Sequence, residues 1–86
     1  MKKYYLKATS STCYDKTGIT FPEHISIPIE NLADIFFGRA WDWRRQFGWN
    51  NQPEVLIFST DEEKAQLFHI VINRFYKGFV VVERDW

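Results

Sequence analysis

Residues 54–84 read EVLIFSTDEEKAQLFHIVINRFYKGFVVVER, and this stretch restricts the fold more than any other. EVLIFS is an apolar run of strand length, read as a central strand. Thr60 and Glu63 have the spacing of a capping box that opens a helix. Asp61 and Glu62 add negative charge at the same end, where the helix dipole favours it. The helix runs to about Tyr76, with an inner stripe of Ala65, Phe68, Val71 or Ile72, and Phe75. Lys77 and Gly78 end it, and FVVVER (79–84) is the last strand. Strand, helix and strand in direct succession make a βαβ crossover, right-handed if both strands share a sheet in parallel.

The first half is less regular. YYLKAT (4–9) mixes Tyr, Leu and Thr as strands do. DKTG (15–18) suits a type I turn. ITF (19–21) and HISI (24–27) read as a second strand, interrupted at Pro22 and so placed at an edge or a bend. The expectation is a β-hairpin over residues 4–27. Beyond it, Ile29, Leu32, Phe36, Ala40, Trp43 and Phe47 recur at helical spacing and predict a helix over about 29–47. Pro28 and Glu30 suit its start. Gly38 is its weak point: it lies mid-helix at a cost of ~1 kcal/mol against Ala, or it caps a first helix and a second helical turn follows. GWNNQP (48–53) is turn chemistry. The expected order is β-β-α-β-α-β. The fold class is α+β, a two-layer sandwich of about four strands with two helices on one face, in one domain over residues 1–86.

The core has to be built by packing alone. Cys13 is the sole cysteine, so no disulfide within the chain and no cysteine-based zinc site can form. A chain of 86 residues buries only roughly 60–65% of its unfolded surface. Aromatic residues, 19% of the chain, compensate, each burying ~150–250 Å². The N-terminal MKKYYLKATSS holds no apolar stretch of signal-peptide length, and no run approaches the ~20 residues of a membrane span. These readings predict a cytoplasmic protein with no membrane association.

Catalytic chemistry is thinly represented. The only histidines are His24 and His69, and there is no HExxH, CxxC, phosphate-binding glycine loop or nucleophile elbow. Cys13 reads as an ordinary small residue. Glu23, His24 and Arg74 could be assembled into a small ribonuclease site, as comparable trios could in almost any chain. Asp61, Glu62 and Glu63 form an acidic patch that capping explains without a metal. The expectation is a non-enzyme without cofactor or metal. Formal charge is zero, from eleven basic and eleven acidic residues, which disfavours a generic nucleic-acid binder.

GRAWDWRRQFGW (38–49) is the candidate binding segment. On a helix, Trp43 and Phe47 join the inner stripe, whereas Phe37 and Trp41 form a second one that Arg44 and Arg45 continue. One apolar face would satisfy an amphipathic helix, so the second stripe is a candidate surface. Its members are Phe37, Arg39, Trp41, Arg44, Arg45 and Trp49. Trp and Arg are enriched at interface hot spots, and Arg stacks on rings and pairs with carboxylate or phosphate. The alternative is burial of both stripes, with Asp42 paired to Arg39 or Arg45. Trp86 either packs back on the fold or is offered to a partner.

The first function expected is a small non-catalytic module that occupies a surface of a larger protein, as an inhibitor or immunity-like protein does. Immunity proteins and phage-encoded inhibitors of host systems share this size and composition, which is an analogy only. The acidic patch could then mimic phosphate toward a nucleic-acid-binding partner. The second is a nucleic-acid binder that stacks bases on the 37–49 rings, and the third is the ribonuclease. A homodimer closed through 37–49 is a further expectation.

Overall fold

The computed structural model describes residues 1–9, 13, 14, 16, 20–45 and 53–84. Its elements are β1 (Lys2–Ala8), α1 (Glu23–Phe37), β2 (Trp41–Arg45), β3 (Glu54–Thr60), α2 (Glu62–Phe75) and β4 (Phe79–Glu83). The strands form one sheet in the order β2-β3-β1-β4, every neighbouring pair antiparallel. β3 and β4 are therefore parallel to each other, with β1 between them. The same holds for β1 and β2 around β3. This is the split βαβ, or ferredoxin-like, topology.

The fold is the expected α+β two-layer sandwich of four strands and two helices, but the elements run β-α-β-β-α-β along the chain, not β-β-α-β-α-β. The 54–84 unit is a crossover that leaves a gap, and β1 fills it.

Strand alternation decides what faces the helices. Tyr4 and Leu6 of β1 lie opposite Phe58 and Leu56 of β3, and all four join Phe79, Ile25, Ile29, Ala33, Ala65, Phe68 and Ile72 in one core. Both helices thus cover the same sheet face. The other face takes the alternate residues: Lys3, Tyr5 and Lys7, Val55, Ile57 and Ser59, Asp42 and Arg44, Val80 and Val82. Tyr5 and Val55 are buried there too.

The predicted hairpin over 4–27 does not form. β1 pairs with β3 and β4, and α1 starts where the second strand was expected. Pro22 occupies the N-cap position in extended conformation, and its carbonyl accepts from the amides of Ile25 and Ser26, both at 2.9 Å. Ile25, Ile29 and Ala33 then fall one helical turn apart and are buried. HISI (24–27) therefore lies in the helix, where Ile25 is buried and Ile27 is half exposed. Pro28 lies inside α1 and lacks the N–H that would bond the His24 carbonyl. The Tyr76 hydroxyl donates to that carbonyl instead, at 3.1 Å.

The predicted 29–47 helix ends at Phe37. Gly38 is its C-cap at φ 62°, and its amide bonds the Asp34 carbonyl at 3.0 Å. Gly38 as a cap is therefore correct, but a strand follows it instead of a helical turn. Phe47, together with the 48–52 turn, lies outside the described residues, as do Asp15, Thr17 and Gly18 of the DKTG turn and Trp86.

Two further corrections fall on α2. Asp61, not Thr60, is the N-cap, and its carboxylate accepts from the Lys64 amide at 2.8 Å. Thr60 is the last residue of β3 and is buried. Ala65, Phe68 and Ile72 form the inner stripe as expected, but Phe75 points to solvent.

Candidate functional site: the β2 edge

β2 is an edge strand, and α1 holds it in place. Trp41 and Trp43 alternate onto the helix side of the sheet. The Trp43 indole Nε1 donates to Glu30 Oε1 at 2.7 Å, and the Trp41 Nε1 donates to Asp34 Oδ1 at 2.8 Å. Residues two apart on a strand are separated by ~6.7 Å. Residues four apart on a helix rise by ~6 Å. The two spacings match, so a strand and a helix running in opposite directions are joined at two rungs. Phe21 meets the Trp43 ring edge-on at 5.7 Å, and the two indoles meet edge-on at 6.4 Å.

The backbone of β2 divides by alternation. The Ser59 amide donates to the Ala40 carbonyl at 3.1 Å. In the antiparallel ladder, Asp42 and Arg44 likewise turn their backbone groups toward β3, while Trp41, Trp43 and Arg45 turn theirs outward. One outward donor is already used: the Trp43 amide donates to Asp42 Oδ1 at 2.8 Å. The second Asp42 oxygen accepts from Arg44 Nε at 3.3 Å. Asp42 was expected to pair with Arg39 or Arg45; the ion pair it makes is with Arg44, between solvent-exposed side chains, and such a pair contributes little.

The residues singled out from sequence divide as follows. Arg39, in the turn before β2, and Arg44 and Arg45, on it, are exposed. Trp41 is half-buried, on the strand instead of on a second helical stripe. Phe37 packs inward: its ring stacks on Phe58 at 4.3 Å and 8° and meets Phe68 edge-on at 4.8 Å. Trp49 lies outside the described residues. Asp61 is engaged as the α2 cap, and Glu62 and Glu63 are exposed in the first turn behind it.

A shallow cleft of about 280 Å³ opens on the sheet face beside β2, lined by Lys3, Trp41, Asp42, Ile57, Ser59 and Arg84. It lies just below the ~300–1,000 Å³ of small-molecule sites, and is sized for one partner side chain. Lys3 and Arg84 make its rim basic. Sequence reasoning missed both, because only the β1–β4 pairing brings the two chain ends together: the Arg84 amide bonds the Lys3 carbonyl at 2.7 Å. It also missed Glu30 and Asp34. The alternation in WDWRR was the available signal for the strand.

The possible catalytic groups are scattered. His24 is exposed at the start of α1, and His69 lines a separate depression with Tyr4, Glu62 and Glu83. Cys13 Sγ is 4.0 Å from the Lys77 carbonyl. Among the described residues no group of three His, Cys, Asp or Glu could hold a metal, and no helix is long and apolar enough to cross a membrane.

Fold and site together define a split-βαβ domain with an arginine-bearing edge strand tied to a helix. No protein-family model matches the chain, and no curated protein or solved structure matches it either.

Proposed function

We propose that the protein is a non-catalytic binding module that occupies a surface of a larger, acidic protein partner through the β2 edge, in the manner of an inhibitor. The observation that carries this reading is the pair of indole–carboxylate bonds. They fix Trp41 and Trp43, and with them the strand that displays Arg44 and the turn before it that carries Arg39. A strand held in advance loses little entropy on binding. The outward backbone groups of Trp41 and the outward carbonyl of Trp43 suit strand addition, the Trp43 amide being taken by Asp42, and the arginines suit carboxylates of the added segment. Nucleic acid is the less favoured ligand. The basic residues Lys3, Lys7 and Arg44 share the sheet face away from the helices, but most strand aromatics point to the helices. Among the described strand residues Tyr5 alone of the aromatics faces that other side, and it is buried. Stacking of single-stranded bases on such a sheet needs exposed rings.

The test uses a photo-crosslinker in place of Arg39, and in a second chain in place of Lys77 beside the opposite edge, each added to lysate of the native host. A single protein captured from position 39, not from 77, and released by Arg44→Glu supports the reading. Equal capture with and without Arg44→Glu refutes it. Capture of nucleic acid alone, weakening steeply with salt, replaces it with the nucleic-acid reading.

A further inference from the structure

α2 has a second apolar face that nothing in the described chain covers. Its inner stripe is buried, yet on another face Leu67 is 52% and Ile70 55% exposed. Glu63, Leu67, Ile70 and Arg74 are spaced 4, 3 and 4, the heptad spacing of a helix–helix seam. Glu63 and Arg74 are exposed, and neither makes an ion pair among the described residues.

We infer that this face is a homodimer interface in which α2 packs antiparallel against α2 of a second copy. The charge pattern selects that occupant. A two-fold axis centred between residues 68 and 69 sets Leu67 against the partner's Ile70 and Ile70 against the partner's Leu67. The same axis sets Glu63 against the partner's Arg74, and Arg74 against the partner's Glu63. An isologous interface requires that reciprocity, and this sequence satisfies it at both the apolar and the charged layers. A parallel pairing would instead set Glu63 against Glu63 and Arg74 against Arg74. α2 is ~21 Å long, so the contact falls at the small end of specific interfaces and the dimer is weak. α2 packs on β4, at the far end of the sheet from β2, so the dimer leaves both arginine edges accessible. This inference does not depend on the proposed function.

Sedimentation velocity over roughly 5 to 500 µM covers the range in which so small an interface is populated. The wild-type chain is expected to pass from monomer to dimer across it. Glu63→Arg alone and Arg74→Glu alone are each expected to stay monomeric, because each sets like charges face to face. An equimolar mixture of the two variants is expected to dimerise. The first variant is basic at both seam positions and the second acidic at both, so every charged layer of the mixed pair is complementary. Far-UV circular dichroism checks that both variants keep their helices. If either does not, Ile70→Gln, which leaves both charges in place, is expected to be monomeric instead. A wild-type chain that stays monomeric, an assembly larger than a dimer, single variants that dimerise like wild type, or a mixture that stays monomeric would each overturn the inference.

Discussion

Breaking the Trp43–Glu30 rung tests whether α1 holds the β2 edge. The bond is 2.7 Å long, part-buried, and made to a carboxylate. Hydrogen bonds to charged groups contribute ~1.5–3 kcal/mol, and half-burial places this one near the lower figure. Trp43→Phe also removes part of a ring packed against Phe21 and leaves the Glu30 carboxylate without its donor. The combined loss is about 2 kcal/mol. At ~4–8 °C per kcal/mol for a domain of this size, Tm falls by about 8–16 °C. A cycle of Trp43→Phe, Glu30→Ala and the double variant, followed by urea unfolding, isolates the pair at a coupling of about 1.5 kcal/mol. The Trp41–Asp34 rung is exposed, and the same cycle there gives about 0.5–1 kcal/mol. Hydrogen exchange supplies the local readout: the Asp42 and Arg44 amides, which face β3, exchange faster in Trp43→Phe than the β1 amides do. If the Trp43–Glu30 coupling lies within the ~0.5 kcal/mol scatter of independent sites, the rungs do not hold the edge, and the main support for the proposed function is lost.

Tyr76→Phe removes the donor to the His24 carbonyl that Pro28 leaves without its helical partner; a loss of about 1 kcal/mol in urea unfolding is expected, and a change below ~0.3 kcal/mol would show that water serves the carbonyl equally well. A Cβ on Gly38 would meet nothing within 4 Å, so Gly38→Ala costs only the strain of φ 62°, about 1–2 kcal/mol by thermal melting. Burial raises the phenol pKa of Tyr14 and of Tyr4 above the ordinary 10.0. Above that pH the unfolded chain ionises first and binds fewer protons, so stability is constant in these groups below about pH 10 and falls as pH rises past it. Tyr14→Phe should make the decline in urea midpoint above about pH 10 shallower, and an unchanged slope would remove Tyr14 as a contributor.

The second half of the chain was legible because each of its signals is local. EVLIFS, the charged opening of α2 and the apolar FVVVER need no distant partner to be recognised, and the cap of α2 was misplaced by a single residue. The first half was misread where the deciding contact is remote. Pro28 is tolerated inside α1 because Tyr76, 52 residues beyond His24, takes the carbonyl it strands. β2 is only five residues long, and two indoles two apart say little until Glu30 and Asp34 stand opposite them. Before that, Phe36, Ala40, Trp43 and Phe47 fitted helical spacing equally well, and Gly38 was the one residue to contradict it. Arg39, Arg44 and Arg45 were found through composition, although the secondary structure assigned to Arg44 and Arg45 was wrong. The Lys3–Arg84 rim could not be found from sequence, since strand order alone creates it.

Zero formal charge is the sum of unlike surfaces, and the sheet order explains their separation. Alternation places Lys3, Lys7 and Arg44 on the sheet face away from the helices, with Asp42 as the acidic residue among them. The helix layer carries Glu23, Glu30, Asp34, Asp61, Glu62 and Glu63 against Lys64 and Arg74. Two of those acids are occupied by tryptophan N–H groups and a third by the α2 cap. Of the acidic patch read from sequence, Asp61 is engaged as the α2 cap while Glu62 and Glu63 are exposed; on the β2 side Arg39 and Arg44 are exposed and have little structural role. A charge that the fold uses little is the one a partner can use. What separates the two regions is that the indole–carboxylate bonds hold the β2 edge and its arginines in place, which puts that edge ahead of the acidic start of α2.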